Sequence, residues 1–206
     1  MKKTYQISVK LLSALHINGG TNANGVRITM KESVNGAESP YIPASVFKGI
    51  LREQFARIWR DCIENEDSCI GRLNADKPCS CMVCKMFGGA GFQRSRIYID
   101  RLTTAKKPNF TIRTNVSINR YCRTNQNAAL VFSEVTERFD NTNTPDFIGD
   151  MTVYYPPQLS VTEQRRIEGV LIEAAAQISY LGMGKSRGLG FVEVSLTSKE
   201  TEADAV

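Results

Sequence analysis

The stretch that most constrains this chain lies near its end. Ser160 and Glu163 have the spacing of a capping box, in which the serine hydroxyl accepts from the N3 backbone N–H and the glutamate returns to the cap. Behind them Ile167, Val170, Leu171, Ala174, Ile178 and Leu181 recur at the interval of a buried helical stripe. A glycine-rich loop, Gly182 to Gly190 (GMGKSRGLG), then leads into a strand from Phe191 to Leu196. At the other end of the chain Tyr5, Ile7, Val9 and Leu11 alternate with polar positions, the period-two signature of a half-buried strand. Asn18 to Asn24 (NGGTNAN) is a loop by composition. The PYIP stretch, Pro40 to Pro43, opens a second helix: Pro43 suits a first turn, and Phe47, Ile50, Leu51, Phe55 and Ile58 line one face. Arg96 to Leu102 (RIYIDRL) reads as a further strand.

The resulting order of strand, helix, strand, long insertion, helix, strand predicts an α+β, ferredoxin-like domain over residues 1–206, with no internal repeat or low-complexity linker. Two insertions interrupt it. One, about 61–90, carries cysteines in polar surroundings. The other, about 103–150, is asparagine-rich with strand-like runs such as Leu130-Val131-Phe132, and its length marks it as functional or hairpin-forming. Residues 198–206 are expected to form a disordered tail.

Apolar residues make up 42% of the 206, ordinary for a folded domain, and no run approaches the roughly 18 apolar residues of a membrane span. The opening MKKTYQISVKLLSALHI begins like a signal peptide, but Tyr5, Gln6, Ser8 and Lys10 break its apolar region and no small-residue cleavage site follows; a cytoplasmic protein is expected. The formal net charge of +5 says little by itself, whereas its distribution says more. Between Arg94 and Arg123 lie Arg96, Arg101, Lys106, Lys107, Arg113 and Arg120, against the single acid Asp100, while the tail leans acidic through Glu200, Glu202 and Asp204. Such a block is the footprint of a phosphate-backbone binder, although a solvated arginine-rich loop has the same composition. Lys48 and Arg52, four apart, share one helix face.

Six cysteines without an export signal point to thiols or metal ligands rather than disulfides. Cys79, Cys81 and Cys84 form a C-x-C-x2-C cluster that brings three sulfurs within reach of one ion, with Cys69 the natural fourth ligand and Cys62 in reserve. Four thiolates close a tetrahedron round zinc, so the site is structural; buried free cysteines are the plainer alternative. The glycine loop contains Gly184-Lys185-Ser186, yet Ser179 stands where a phosphate-binding loop needs its first glycine, and helix precedes loop where strand should. The dinucleotide fingerprint fails as well, since Gly182 and Gly184 are followed by Gly188 rather than by a glycine at 187. What remains is a flexible loop with Lys185 and Arg187, whose backbone N–H groups suit a phosphate or another backbone. His16, the only histidine, leaves no second histidine for a metal hydrolase and is more often structural at a strand end.

Several of these segments together resemble the repeat-associated mysterious proteins, the RAMP superfamily. Leu15-His16-Ile17-Asn18-Gly19-Gly20 is similar to the loop after that superfamily's first strand, and Tyr41 to Arg52 (YIPASVFKGILR) to its helix motif. GMGKSRGLGFVEV resembles its glycine loop and last strand. The cysteine cluster followed by Phe87-Gly88 resembles the zinc knuckle of crRNA-binding backbone subunits of type III CRISPR complexes, and Asn119-Arg120 with Phe132 to Val135 their thumb hairpin. The resemblance implies a ferredoxin-like (RRM-like) palm with a thumb hairpin and a zinc-knuckle insertion, stacked head to tail in copies along a crRNA and holding the guide–target RNA duplex beside other effector subunits. It implies guide-phosphate contacts from Ser45, Lys48, Gly49 and Arg52, RNA contacts from Arg94, Arg96, Arg120, Arg123, Lys185 and Arg187, and zinc on Cys69, Cys79, Cys81 and Cys84. Two departures stand out. Cys69 replaces a histidine often found as first zinc ligand, and the 18–25 loop lacks the aspartate of slicing relatives, with Asn22 and Asn24 nearest its place. Amides do not act as carboxylate ligands or general bases, so the expected subunit binds without cutting and relies on a separate nuclease. The alternatives are a metal-dependent endoribonuclease using another acid, such as Glu32, and a stand-alone zinc-stabilised RNA-binding module.

Overall fold

The computed structural model describes residues 2–34, 36–63, 79, 81–89, 93–139 and 144–199. In chain order the elements are β1 (Lys2–Leu11), β2 (Asn18–Thr21), β3 (Arg27–Thr29), β4 (Lys31–Val34), β5 (Ala37–Ile42), α1 (Ala44–Ile63), α2 (Met82–Phe87), β6 (Ile97–Ile99), β7 (Leu102–Thr103), β8 (Phe110–Ile118), β9 (Asn125–Thr136), β10 (Phe147–Tyr154), α3 (Val161–Ala176), a 3-10 turn (Lys185–Arg187) and β11 (Val192–Lys199). The protein is thus a mixed α+β chain with three α-helices among the described residues. None of those helices is long and apolar enough to cross a membrane.

The predicted alternation in β1 is realised: Tyr5, Ile7, Val9 and Leu11 are buried, and the residues between them face the other side. β1 pairs antiparallel with β10, Ile7 opposite Gly149, and with β11, Ile7 opposite Leu196. The main sheet runs β11-β1-β10-β7-β5-β4, and β6 lies beside β7 on the far edge of β10. A second sheet, β2-β3-β9-β8, is dominated by the β8–β9 hairpin. Helices α1 and α3 pack on each other and on one face of the main sheet. There Phe47, Leu51, Phe55, Ile167, Leu171 and Ala174 meet Ile7, Val9, Met151, Val153 and Val194 in one core. Phe55 stacks on Trp59 and tilts against Phe87 of α2, ring centroids 5.4 Å apart in both pairs, which draws the short cysteine-bearing helix into that core.

The capping box is present: Glu163 N donates to Ser160 Oγ at 3.2 Å, and Ser160 N donates to Glu163 Oε2 at 2.8 Å. The stretch expected to be a plain loop after β1 differs from expectation. Asn18–Thr21 forms β2, hydrogen-bonded to β3, because Gly19 lets the strand close on Thr29, where a Cβ would come within 3.0 Å of the carbonyl oxygen. Of the long insertion, 110–136 is the hairpin, while β7 and the start of β10 belong to the main sheet. Residues 64–78, with Cys69, and the tail from 200 lie outside the described residues.

Two loop glycines are fixed by close approach. At Gly182 (φ 75°) a Cβ would overlap the His16 carbonyl oxygen, and at Gly190 (φ 75°) the Leu181 carbonyl oxygen. Met183 N donates to His16 O and Gly190 N to Ala14 O, both at 2.8 Å, fastening the loop to the segment after β1. Gly190→Ala should therefore destabilise the fold by at least the 1–3 kcal/mol, roughly, of a strained φ. Gly169→Ala, in open space on α3, should stabilise by about 0.5–1 kcal/mol. Urea titration of both variants checks this opposite pair of signs.

Candidate metal cluster and nucleic-acid interface

Cys79, Cys81 and Cys84 converge, their sulfurs all within 4.8 Å of one another. In a tetrahedron of 2.3 Å bonds the sulfurs sit about 3.8 Å apart, so the spacing fits one metal ion. Cys81 also caps α2, its sulfur accepting from Cys84 N at 3.4 Å. Gly89 passes so near that a Cβ there would lie 2.9 Å from Cys84 Sγ, which explains the glycine at that position. Cys79, Cys81, Cys84 and Cys122 form no disulfide. The surroundings are not the polar ones expected: Cys81 and Cys84 are buried with Val83, Met86 and Phe87 as part of the main core. The ring of Phe87 against Phe55 pulls them inward. Cys69, the expected fourth ligand, lies outside the described residues, as does the side chain of Cys62.

The helix face with Lys48 and Arg52 points at this cluster. Arg52 Nη2 donates to Cys84 Sγ at 3.7 Å, a guanidinium beside a sulfur that becomes a thiolate on metal binding. Lys48 Nζ donates to Ser95 Oγ at 2.7 Å and to the Ile97 carbonyl at 2.8 Å. Burial, then the Arg52 charge, pulls the Lys48 ammonium below the ordinary lysine value. Sequence reasoning placed both cations on one face; it gave no sign that the face is half buried and anchors α1 to α2 and β6. Ser45 and Gly49 are exposed nearby on α1.

The other candidate cations are elsewhere. Lys185 and Arg187 are exposed on the 3-10 turn, with Lys185 Nζ 3.7 Å from the centre of the Tyr180 ring. Arg120 and Arg123 flank the hairpin tip with Tyr121, which is 98% exposed. Arg123 takes a positive φ of 53°, as a tight turn requires. Along one face of the hairpin Ile112, Val116, Leu130 and Phe132 are exposed. Arg94 and Arg96 precede β6. Arg101, by contrast, is paired with Glu32, and Lys106 with Asp146 at 2.5 Å.

Asn22 does a structural job. Its Oδ1 accepts from Asn24 N at 3.0 Å and Val26 N at 2.9 Å, closing the β2–β3 turn. Asn24 is exposed beside it. His16 is buried; its Nδ1–H donates to the Glu134 carbonyl at 2.7 Å, tying the β1 exit to the root of β9. The chain therefore offers one thiolate-type metal cluster among the described residues and scattered exposed cations, with no carboxylate on the 18–25 loop.

Residues 8–193 match the family model described as the RAMP superfamily. A comparison with the curated proteins gives no match.

Freshly purified, reduced protein should carry close to one equivalent of divalent metal per chain by elemental analysis. Chelation should lower its melting temperature, and Cys84→Ser should abolish both the metal and that response. Protein that is metal-free as isolated, and whose melting a chelator leaves untouched, would remove the cluster from the list of metal sites.

Proposed function

The chain belongs to the RAMP superfamily, which makes it a CRISPR-associated RNA-binding subunit, and from that premise we propose that it is a crRNA-binding backbone subunit of a type III or type III-derived effector complex in the cytoplasm. Copies stack head to tail along the guide with other effector subunits and hold the guide–target RNA duplex. The order β11-β1-β10-β6, with α1 and α3 on one face, agrees with a ferredoxin-like palm. The β8–β9 hairpin is read as the thumb.

That hairpin is the observation that carries the reading. A two-stranded ribbon is marginal alone, and this one leaves a row of apolar side chains bare beside an aromatic and basic tip. A heterologous neighbour and an RNA strand together supply what one copy lacks. Ser45, Lys48, Gly49, Arg52, Lys185 and Arg187 are assigned to guide phosphates, and Arg94, Arg96, Arg120 and Arg123 to the RNA alongside. Zinc, held by Cys79, Cys81, Cys84 and Cys69, is assigned a closed structural role in keeping α2 on α1.

Phosphate contacts release counterions, so RNA affinity should fall with log salt by about 0.7 per contact on single strands. Lys185→Ala with Arg187→Ala should flatten that slope without loss of fold, since both side chains are exposed. A slope identical to wild type would take the loop out of the interface. Lys48 and Arg52 make a poorer test, because their loss also removes the bonds to Ser95, Ile97 and Cys84.

We also propose that this subunit does not cut RNA. In-line cleavage needs a group that binds metal or positions the attacking 2′-hydroxyl; the loop offers amides, and Asn22 is committed to its turn. Glu32, the other candidate acid, pairs with Arg101. Guide, labelled target and magnesium or manganese, with the assembled complex and no accessory nuclease, should give no cuts. Regularly spaced cuts lost in Glu32→Ala would establish the slicing alternative instead.

A further inference from the structure

The outer face of the main sheet, opposite α1 and α3, is open, and at its β6–β10 edge it carries a pocket that the guide contacts above do not use. We infer that this pocket is a subsite for one unstacked nucleotide of an RNA strand, its base on Tyr98 and Tyr154 and its phosphates on Lys85, Arg94 and Arg96. The inference rests on the reading of the chain as an RNA binder and adds the form in which part of that RNA is held.

The register sets up the aromatic platform. Thr152 lies opposite Tyr98 and Val153 opposite Ile97, so Ile97, Met151 and Val153 enter the core while Tyr98 and Tyr154 emerge on the other side. Their ring centroids are 5.6 Å apart at 88°, an edge-to-face pair that leaves at least one face of each ring free. They remain 56% and 43% exposed. Two adjacent tyrosine rings left in water on a sheet face are a stacking platform without its partner.

The charge around them is one-sided. Lys85, Arg94 and Arg96 line the same pocket, and none of the three makes an ion pair with a described residue. Elsewhere the chain pairs its cations freely, as in Lys31 with Glu38 and Glu134. The acid that Lys85 senses is Glu163, which is occupied by the α3 cap. The pocket holds about 850 Å³, within the roughly 300–1,000 Å³ of ligand clefts.

Three bare cations exclude an apolar ligand, and a lone phosphate has no use for two exposed aromatic rings. Aromatic faces and clustered positive charge together match a nucleotide. The pocket is also continuous with α1: Ser95 on its wall accepts the Lys48 ammonium. A strand whose phosphates follow α1 is thereby led to the tyrosines.

The test uses the full chain and short single-stranded RNA carrying 4-thiouridine. Photo-crosslinks should map to the peptides containing Tyr98 or Tyr154. Tyr98→Ala and Tyr154→Ala should each weaken binding by about tenfold, Tyr98→Phe and Tyr154→Phe should retain it, and Arg94→Ala should weaken binding and flatten the salt slope. The phenylalanine pair guards against misfolding, since it keeps the ring packing. RNA binding with a normal salt slope but within about twofold of wild type in both alanine variants overturns the subsite and leaves the RNA-binding function standing. No RNA binding at all overturns both. Adenosine monophosphate or an acidic peptide that protects the tyrosines where RNA does not overturns the assignment to an RNA strand.

Discussion

Strand β1 has no free edge. One side is hydrogen-bonded to β10 from Lys2 to Val9, the other to β11 from Thr4 to Leu11, and both partners come from the far end of the chain. The central sheet therefore closes only when segments remote in sequence meet, an entropic cost repaid by burying Tyr5, Ile7, Val9 and Leu11 together with the apolar faces of α1 and α3. The glycine loop completes the closure. Leu12 N and Ser13 N both donate to Phe191 O, and Gly182 and Gly190 let the backbones touch. Once these pairings are fixed, the cysteine segment and the hairpin are excursions from a rigid frame, free to carry chemistry or contacts that the core does not need.

The frame also turns cations to two uses. On α1, Lys48 is drawn inward to Ser95 and Ile97, and Arg52 to the Cys84 sulfur, where its charge suits a thiolate. Lys185, Arg187, Arg120 and Arg123 project from turns instead, and are available to a polyanion without disturbing the fold. Helix α1 is thus the place where the metal cluster and the proposed interface share residues.

The parts governed by local pattern were legible in the sequence. The Ser160–Glu163 cap, the two helical stripes and the alternation of β1 follow from spacing alone, because each is set by its own neighbours. Strands β2 to β5 were missed: NGGT and KESV have no apolar alternation, and they are strands only because a partner strand lies alongside. The cysteine cluster was legible as ligands, but its burial was not, since that comes from Phe87 meeting Phe55 across the fold. The bond from Arg52 to Cys84 joins residues from separate segments that no periodicity links. RIYIDRL was legible as a strand, but the pairing of Tyr98 with Tyr154 was not, because it depends on the register of β6 against β10.

Among the described residues, the β8–β9 hairpin is held only at its root. Leu15 and Thr136 exchange backbone hydrogen bonds at 2.8 Å, His16 grips the Glu134 carbonyl, and the Glu134 carboxylate takes Thr29 N and the Lys31 ammonium, each at 3.1 Å. The nine residues of β8 make an arm about 30 Å long at the usual rise per residue. Over such an arm, a root rotation of about 5° swings the tip by roughly 3 Å, close to the separation of stacked bases. The His16–Glu134 contact is then a gauge: a change of a few degrees there is multiplied along the arm into a displacement of Tyr121.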